Sequence, residues 1–206
     1  WNFDRTMTQL PDAETLRQSV KLVDYRKIIL DPDNHSVFLP EKGMRIGFGG
    51  IGKGYAAETV KGFLQQRGVH SGIVNAAGDL SVWGTQADGK PWTVGIADPN
   101  SAERPFSLLN ISDMAIATSG NYEKFVMIGG KKYSHTINPK TGMPAHCVKS
   151  VTVFCPNAEI ADAMATPLSI MPRQQALDLV NQIKDLECVI IGDDDQLFVS
   201  DNIRLR

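Results

Sequence analysis

Residues 45–55 read RIGFGGIGKGY, and the interpretation of the whole chain starts from this stretch. It holds five glycines and one lysine in eleven positions. Glycines at the start of a helix let the main chain approach an anion closely, and free N–H groups together with the helix dipole favour negative charge there. Lys53 would add a mobile cation. The run therefore indicates a phosphate site, with a tight strand-to-helix turn as the structural alternative.

The residues that follow predict a helix over 51–67. Gly68 suits the left-handed position just after a helix end. Apolar residues recur at helical spacing along this segment, at Ile51, Tyr55, Val60, Phe63 and Leu64. The helix therefore begins inside the glycine run.

Two familiar phosphate motifs overlap the run, and the sequence favours neither. Gly47, Gly52 and Lys53 match G-x-x-x-x-G-K, but position 54 is glycine where a P-loop needs Ser or Thr to bind magnesium. A dinucleotide fingerprint, G-x-G-x-x-G, also fits. It requires an acidic residue about 20 residues further on, whereas Asp79 comes 27 residues after Gly52.

The rest of the chain indicates an α+β fold, with mostly antiparallel sheets and flanking helices. Short apolar segments from residue 72 to 154 are separated by few residues, and short links favour antiparallel pairing. Helices are predicted over 12–22, 157–170 and 172–183, and hairpins around DPDN and DDD. No repeat or linker interrupts the chain, so we predict a single domain over 1–206.

Composition excludes several classes of function. The chain has 206 residues, 42% of them hydrophobic, and a formal net charge of −2. This balance gives no electrostatic reason to expect nucleic acid or an anionic membrane as a partner. No segment has the apolar length needed to span a bilayer. Cys147, Cys155 and Cys188 form no C-x-x-C pattern and are interpreted as small buried residues.

A second candidate site lies in the segment PNAEIADAMATPLSIM. Asp162 and Thr166 are four residues apart and share a helical face. A carboxylate and a hydroxyl are hard oxygen ligands, and magnesium completes such partial sites with water and substrate phosphate. The small residues Ala161, Ala163 and Ala165 predict room for something bulky nearby. Alternatively, Asp162 is a solvated charge and Thr166 bonds back to a carbonyl.

A third candidate is His135 in the segment YSHTINPKTGMP. It is predicted at the end of a strand, before a turn rich in Asn, Pro and Gly. A histidine in that place can act as a general base near neutral pH. An ordinary half-buried histidine is the alternative.

The order of five motifs in this chain resembles the FAD:protein FMN transferases, the ApbE-type flavin transferases. The motifs are GGIGKGYAAE, NAAGDL, AIATSGNYE, HTINPKTGMP and ADAMAT, and they run from about Gly49 to Ser169. The resemblance implies that FAD and Mg²⁺ are bound, that FMN is transferred to a Thr or Ser of a target flavoprotein, and that AMP is released.

The resemblance also implies roles for individual residues. The metal ligands are the main-chain carbonyl of Gly50 and the side chains of Asp162 and Thr166. His135 is the general base, and Asp162 is counted with it as catalytic. The residues implied in binding FAD are Lys53, Gly49, Asp79, Thr118, Ser119 and His135.

The chain departs from the family pattern in three places. Asn138 stands where the family usually has Asp, and Ala77 where a second glycine is common. The chain also begins near the middle of the family plan, so we expect that an N-terminal part with flavin contacts is missing. Membrane anchoring as a lipoprotein is expected only through such an absent segment. The resemblance implies the bacterial periplasm or cell envelope as location.

Two other functions compete with FMN transfer. One is a magnesium-dependent FAD pyrophosphatase that gives FMN and AMP. The other is a non-catalytic FAD-binding protein. Release of FMN without an acceptor would indicate the first, and tight FAD binding without turnover would indicate the second.

Overall fold

The computed structural model describes residues 1–3, 6–98, 101–122, 124–146 and 148–203. These residues form two compact units, which are treated separately. The first unit comprises Trp1–Gly47 with Lys124–Ala145. The second comprises Phe48–Glu123 with His146–Arg206. That one domain spans the chain stays a prediction.

The helices and strands follow the predicted order closely. The helices are α1 Ala13–Lys21, α2 Gly52–Gln66, α3 Ala158–Ile170 and α4 Arg173–Val180. The strands are β1 Ile29–Asp31, β2 Ser36–Phe38, β3 Gly72–Ala76, β4 Asp79–Trp83, β5 Trp92–Asp98, β6 Ser101–Ile111, β7 Met114–Gly120, β8 Phe125–Ile128, β9 Lys131–Ser134, β10 Val148–Cys155, β11 Glu187–Gly192 and β12 Leu197–Val199.

A six-stranded sheet organises the second unit. Its strand order is β12-β11-β10-β7-β4-β3, and each neighbouring pair is antiparallel. The β5–β6 hairpin is separate from this sheet. The predicted α+β class with mostly antiparallel sheets is confirmed. A P-loop or dinucleotide fold needs parallel strands, so this topology agrees with rejecting both motifs.

Both faces of the sheet are covered by apolar layers. Helices α2, α3 and α4 pack on one face, where small residues such as Ala57, Ala161 and Ala176 meet the valines of β10. On the other face, Val94 and Ile96 of β5 pack against Val82 of β4 and residues of the neighbouring strands. Packing against the sheet fixes the positions of α2 and α3 relative to each other.

The apolar residues that predict α2 are not the ones it buries. Tyr55 is 55% exposed and Phe63 is 50% exposed, whereas Gly54 and Ala57 are buried. The helix packs through its smallest residues because a second helix approaches it closely. The Arg67 guanidinium covers the Phe63 ring at 3.7 Å from the ring centre, which shields part of that exposed ring from water.

The first unit contains α1 and two hairpins, β1–β2 and β8–β9. Helix α1 is capped by Asp12, whose carboxylate accepts the Thr15 N–H at 2.9 Å. The HTINPKTGMP turn belongs to this unit. Asn138 Oδ1 accepts the Lys140 N–H at 2.9 Å, a bond that an amide oxygen makes as well as a carboxylate does.

Two remaining predictions concern cysteines and membrane spans. Cys155 and Cys188 are buried, as predicted, and Cys147 lies outside the described residues. Within the described ranges, every helix is too short or too polar to cross a lipid bilayer.

Candidate active site

Helix α3 holds the two predicted side-chain ligands on one buried face. Asn157 caps the helix by accepting the Ile160 N–H at 3.1 Å, which satisfies one of its unpaired first-turn donors. Asp162 follows one turn later and is only 5% exposed. The interpretation of Asp162 as a solvated charge is therefore wrong. A buried carboxylate needs hydrogen bonds or a cation to offset its lost hydration.

Three residue pairs connect α3 with α2 and with the turn that precedes α2. We call this contact the α2–α3 seam, and its pairs are Gly50 with Thr166, Gly54 with Asp162, and Glu58 with Ala158.

The glycines of the seam are needed for its closeness. A methyl group added at Gly54 would lie 2.1 Å from the Ala158 carbonyl oxygen and 2.7 Å from Asp162 Cβ. A methyl group at Gly50 would lie 3.3 Å from Thr166 Oγ1. Because no side chain intervenes, the Gly54 N–H donates to Asp162 Oδ2 at 2.9 Å. Gly50 thus adjoins Thr166, and Gly54 adjoins Asp162.

Lys53, in the first turn of α2, lies beside a second buried carboxylate. Its Nζ is 3.3 Å from Asp79 Oδ2, at the start of β4. Asp79 is 1% exposed, and its Oδ2 has no hydrogen-bond partner among the described residues. The Lys53 ammonium is therefore close enough to form an ion pair with Oδ2 but is not oriented to donate a hydrogen bond to it. Burial raises the pKa of Asp79 to about 6, the Lys53 charge opposes this shift, and the Asp162 charge adds to it.

A cavity of about 250 Å³ opens next to this pair. Its lining includes Lys53, Asp79, Thr118 and Tyr122. The Thr118 N–H donates to Asp79 Oδ1 at 3.4 Å. Side chains alternate along a strand, so Ser119 points to the opposite face of β7, the face on which Ala117 joins the helix-side core. The predicted pair Thr118 and Ser119 is therefore divided between two faces.

His135, the predicted base, lies in the first unit immediately after β9. Its Nδ1 is 3.0 Å from the Lys124 carbonyl oxygen. A carbonyl can only accept, so Nδ1 carries the proton and the lone pair of the neutral ring lies on Nε2. The second unit holds the other predicted site residues, namely Gly49, Gly50, Lys53, Asp79, Thr118, Ser119, Asp162 and Thr166.

Sequence reasoning misjudged two features of the site. The small residues Ala161 and Ala165 leave no room for a bulky group, because both are buried in the core against the sheet. The N–H groups of the glycine run are also less available to an anion than expected. Gly52 N–H donates to the Phe48 carbonyl at 2.7 Å, and Gly54 N–H is engaged by Asp162.

Two residues of the site were missed from the sequence. In the sequence, Gly54 is conspicuous only because a P-loop would have Ser or Thr there, and Glu58 is only the last residue of the GGIGKGYAAE motif. Glu58 Oε2 accepts the Ala158 N–H at 2.9 Å and the Ser81 hydroxyl at 3.1 Å. The signal lies in the spacing of Gly54 and Glu58, which are four residues apart within the predicted helix and so share one helical face.

The residues at the seam fit a magnesium ion by their chemistry. Carboxylate, hydroxyl and main-chain carbonyl oxygens are the hard ligands that magnesium takes, with water and phosphate completing its shell. No cluster of three His, Cys, Asp or Glu side chains able to hold a metal occurs in the part of the chain that the structure describes. The seam supplies one carboxylate, so it suits an ion that shares its shell with substrate and not a transition metal held by protein alone.

The antiparallel sheet and the oxygen-lined seam define an α+β protein with a candidate metal site between two helices. The family model described as the ApbE family matches residues 1–190, and the chain belongs to this family.

Similar proteins and solved structures agree with this assignment. The chain is 29% identical, over 98% of its length, to the FAD:protein FMN transferase of Treponema pallidum, and 29% identical over its full length to one from Klebsiella pneumoniae. It covers 60% and 64% of those proteins, less than two thirds of either. The ApbE protein from Thermotoga maritima superposes with a TM-score of 0.85 and 29% identity, covering 94% of this chain and 63% of that one. The flavin transferase ApbE from Vibrio cholerae gives a TM-score of 0.80 and 26% identity, covering 94% and 62%.

Proposed function

We propose that this chain transfers FMN from FAD to a Thr or Ser hydroxyl of a target flavoprotein and releases AMP. The observation that carries the proposal is the α2–α3 seam, in which Gly50 adjoins Thr166 and the Gly54 N–H donates to Asp162. Relatives that bear the name FAD:protein FMN transferase align with nearly the whole chain. In the reaction, the hydroxyl oxygen bonds to the FMN phosphorus, and the bond from that phosphorus to the bridging oxygen breaks.

The proposed metal ligands are the Gly50 carbonyl, Asp162 and Thr166. Bound there, Mg²⁺ would polarise the phosphoryl group and stabilise charge on the departing AMP oxygen. The Gly54 N–H fixes one oxygen of the Asp162 carboxylate at 2.9 Å. This bond orients the carboxylate before any ligand arrives, so less ordering remains to be done on binding.

The proposed FAD contacts gather around the first turn of α2. Lys53 gives a positive charge for the pyrophosphate, and it is already held near Asp79. Asp79 and Thr118 line the adjoining cavity. Gly49 is exposed in the turn before α2, where its lack of a side chain permits close approach of a phosphate. Ser119 is kept as a proposed contact from the family resemblance alone.

His135 is proposed as the general base that takes the proton of the acceptor hydroxyl. The Lys124 carbonyl keeps the proton on Nδ1, so Nε2 is the nitrogen that accepts. A threonine hydroxyl is a weak nucleophile and gains from a base within hydrogen-bond reach. The acceptor is a flavoprotein, and the proposed location is the bacterial periplasm or cell envelope.

A mass measurement tests this proposal. An acceptor peptide is incubated with the chain, FAD and MgCl₂, and then weighed. We expect a gain equal to FMN less one water, and no gain with Asp162→Asn or with EDTA. Release of FMN and AMP without any gain would identify a pyrophosphatase instead. Tight FAD binding with no product under any metal would contradict both activities.

A further inference from the structure

Glu58 connects the three elements that carry the candidate site. It lies on α2, one turn after Gly54. Its Oε2 accepts from the main-chain N–H of Ala158, the first residue of α3, and from the hydroxyl of Ser81 on β4. Helix α2 carries Lys53, α3 carries Asp162 and Thr166, and β4 begins at Asp79. One carboxylate oxygen thus joins α2 to both other elements.

A lysine strengthens the same connection. Lys61 Nζ lies 3.0 Å from Glu58 Oε1 and also donates to the Pro156 carbonyl at 3.4 Å. Glu58 and Lys61 therefore contact the chain on both sides of Asn157, where it turns from β10 into α3. Burial on its own would raise the pKa of Glu58, but hydrogen bonds from Ala158 and the Lys61 charge prevail and lower it. The carboxylate is ionised at neutral pH and faces the positive end of the α3 dipole.

These contacts set the register between the two helices. Each step of four residues along the chain that leads into α2 and along α2 itself meets a step of four back along α3, because Gly50, Gly54 and Glu58 face Thr166, Asp162 and Ala158 in turn. The glycines permit closeness but have no side chain to interlock, and what opposes sliding at Gly54 is its N–H bond to Asp162. A slip of one helical turn, about 5.4 Å, would separate Asp162 from Gly54 and Thr166 from Gly50. Glu58 is the polar side chain that fixes the end of this seam.

We propose that Glu58 is a positioning residue for the metal site: it fixes α3 against α2 so that Asp162 and Thr166 face the Gly50 carbonyl. The inference rests on the proposed function, because it assumes that these oxygens hold a divalent cation. The alternative role for Glu58 is that of a helix cap, which stabilises α3 without affecting the metal ligands.

Two alanine variants separate these roles. Glu58→Ala and Asn157→Ala each remove one acceptor from the first turn of α3, but only Glu58 reaches from α2. The first measurement is a titration with Mn²⁺, which takes oxygen ligands as Mg²⁺ does, and the EPR signal of the unbound ion gives the Kd. The second is thermal unfolding of each variant in EDTA. We expect both variants to lose thermal stability, and only Glu58→Ala to weaken Mn²⁺ binding, by about 10-fold.

Each outcome decides the matter. Equal Kd values for Glu58→Ala and the wild type, or equal weakening in both variants, would overturn the positioning role. If Glu58→Ala does not fold, Glu58→Asp replaces it. This variant keeps the charge, but its side chain is one methylene shorter and so loses the reach to the Ala158 N–H, and an unchanged Kd would again overturn the inference. A wild-type chain that binds no Mn²⁺ would instead refute the metal assignment itself, and this inference with it.

Discussion

Two glycines of α2 differ in what surrounds them. Gly54 lies on the inner side, where a methyl group would meet the Ala158 carbonyl oxygen at 2.1 Å. Gly62 lies two turns later, and a methyl group there would have no atom within 4 Å. The inner side packs through glycine against α3, whereas the outer side exposes Tyr55 and Phe63. Close contact between helices is thus determined by small residues and not by the most hydrophobic ones.

The largest effect is expected from Gly54→Ala. The added methyl group would overlap main-chain atoms of α3, which cannot swing aside as a flexible side chain can. The helix must move, and we expect the free energy of unfolding to fall by about 3 kcal/mol or more. The movement would also break the bond from the Gly54 N–H to Asp162. Urea unfolding and Mn²⁺ binding measure the two consequences.

A tolerated Gly54→Ala would contradict this account. If the variant unfolds at the wild-type urea concentration and binds Mn²⁺ equally well, then the seam is wider than the structure shows. Position 54 would then have no special requirement for glycine.

The second prediction concerns the buried charge beside the inner side of α2. Asp79 has a pKa of about 6 in the fold, against an ordinary value of 3.8. Between about pH 4 and 6 the folded chain holds a proton that the unfolded chain has released, so the free energy of unfolding falls as the pH rises through this window. The loss is at most about 3 kcal/mol and persists above pH 6.

Asp79→Asn removes this titration. We expect the variant to gain stability relative to the wild type as the pH rises from about 4 to 6, with little further change above that. Urea unfolding in EDTA across this range measures the difference. Asp201→Asn, at an exposed position of the same unit, is the control. Parallel pH profiles for Asp79→Asn and the wild type would show that Asp79 titrates normally.

Much of the fold could be predicted from the sequence because local signals agree with the final packing. Short strands with Gly, Asp or Asn between them predict antiparallel pairing, and each strand of the six-stranded sheet does pair in this way. The buried face of α2 could not be predicted by hydrophobic periodicity. Its fully buried residues are Gly54 and Ala57, which contribute little to an apolar pattern.

The site was predicted in part, for a related reason. The four-residue spacing of Asp162 and Thr166 places them on one face whatever the tertiary structure. The proximity of Thr166 to Gly50 and of Asp162 to Gly54 depends on how α3 meets the chain that forms α2, which no local pattern encodes. The motif order indicated it through family resemblance. The burial of Asp79 depends in the same way on β7 and α2 closing over it, so its raised pKa could not be expected from NAAGDL alone.

Ala77 presents the opposite case to Gly54, because it has a side chain at a position whose backbone conformation favours glycine. The β3–β4 hairpin turns through Ala77 at φ 51° and Gly78 at φ 102°, the left-handed pair of a two-residue hairpin loop. Ala77→Gly would relieve the strain of the left-handed conformation, and we expect it to raise the free energy of unfolding by about 1 kcal/mol. Gly78→Ala is the matched opposite and should lower it. A loss of stability in both variants would mean that the Ala77 methyl group contributes more by packing than it costs in strain.

The smallest effect is expected beyond the end of the seam, from Gly62→Ala. Position 62 is in the interior of α2, where glycine costs about 0.5–1 kcal/mol relative to alanine because the unfolded chain loses more freedom. No neighbour would meet the new methyl group, so the gain should appear in full as a higher midpoint of urea unfolding. Mn²⁺ binding should be unchanged, because Gly62 lies one turn beyond Glu58, where the seam ends, and has no neighbour there. A loss of stability would show that position 62 is packed in solution, and the contrast between Gly54 and Gly62 would then be one of degree.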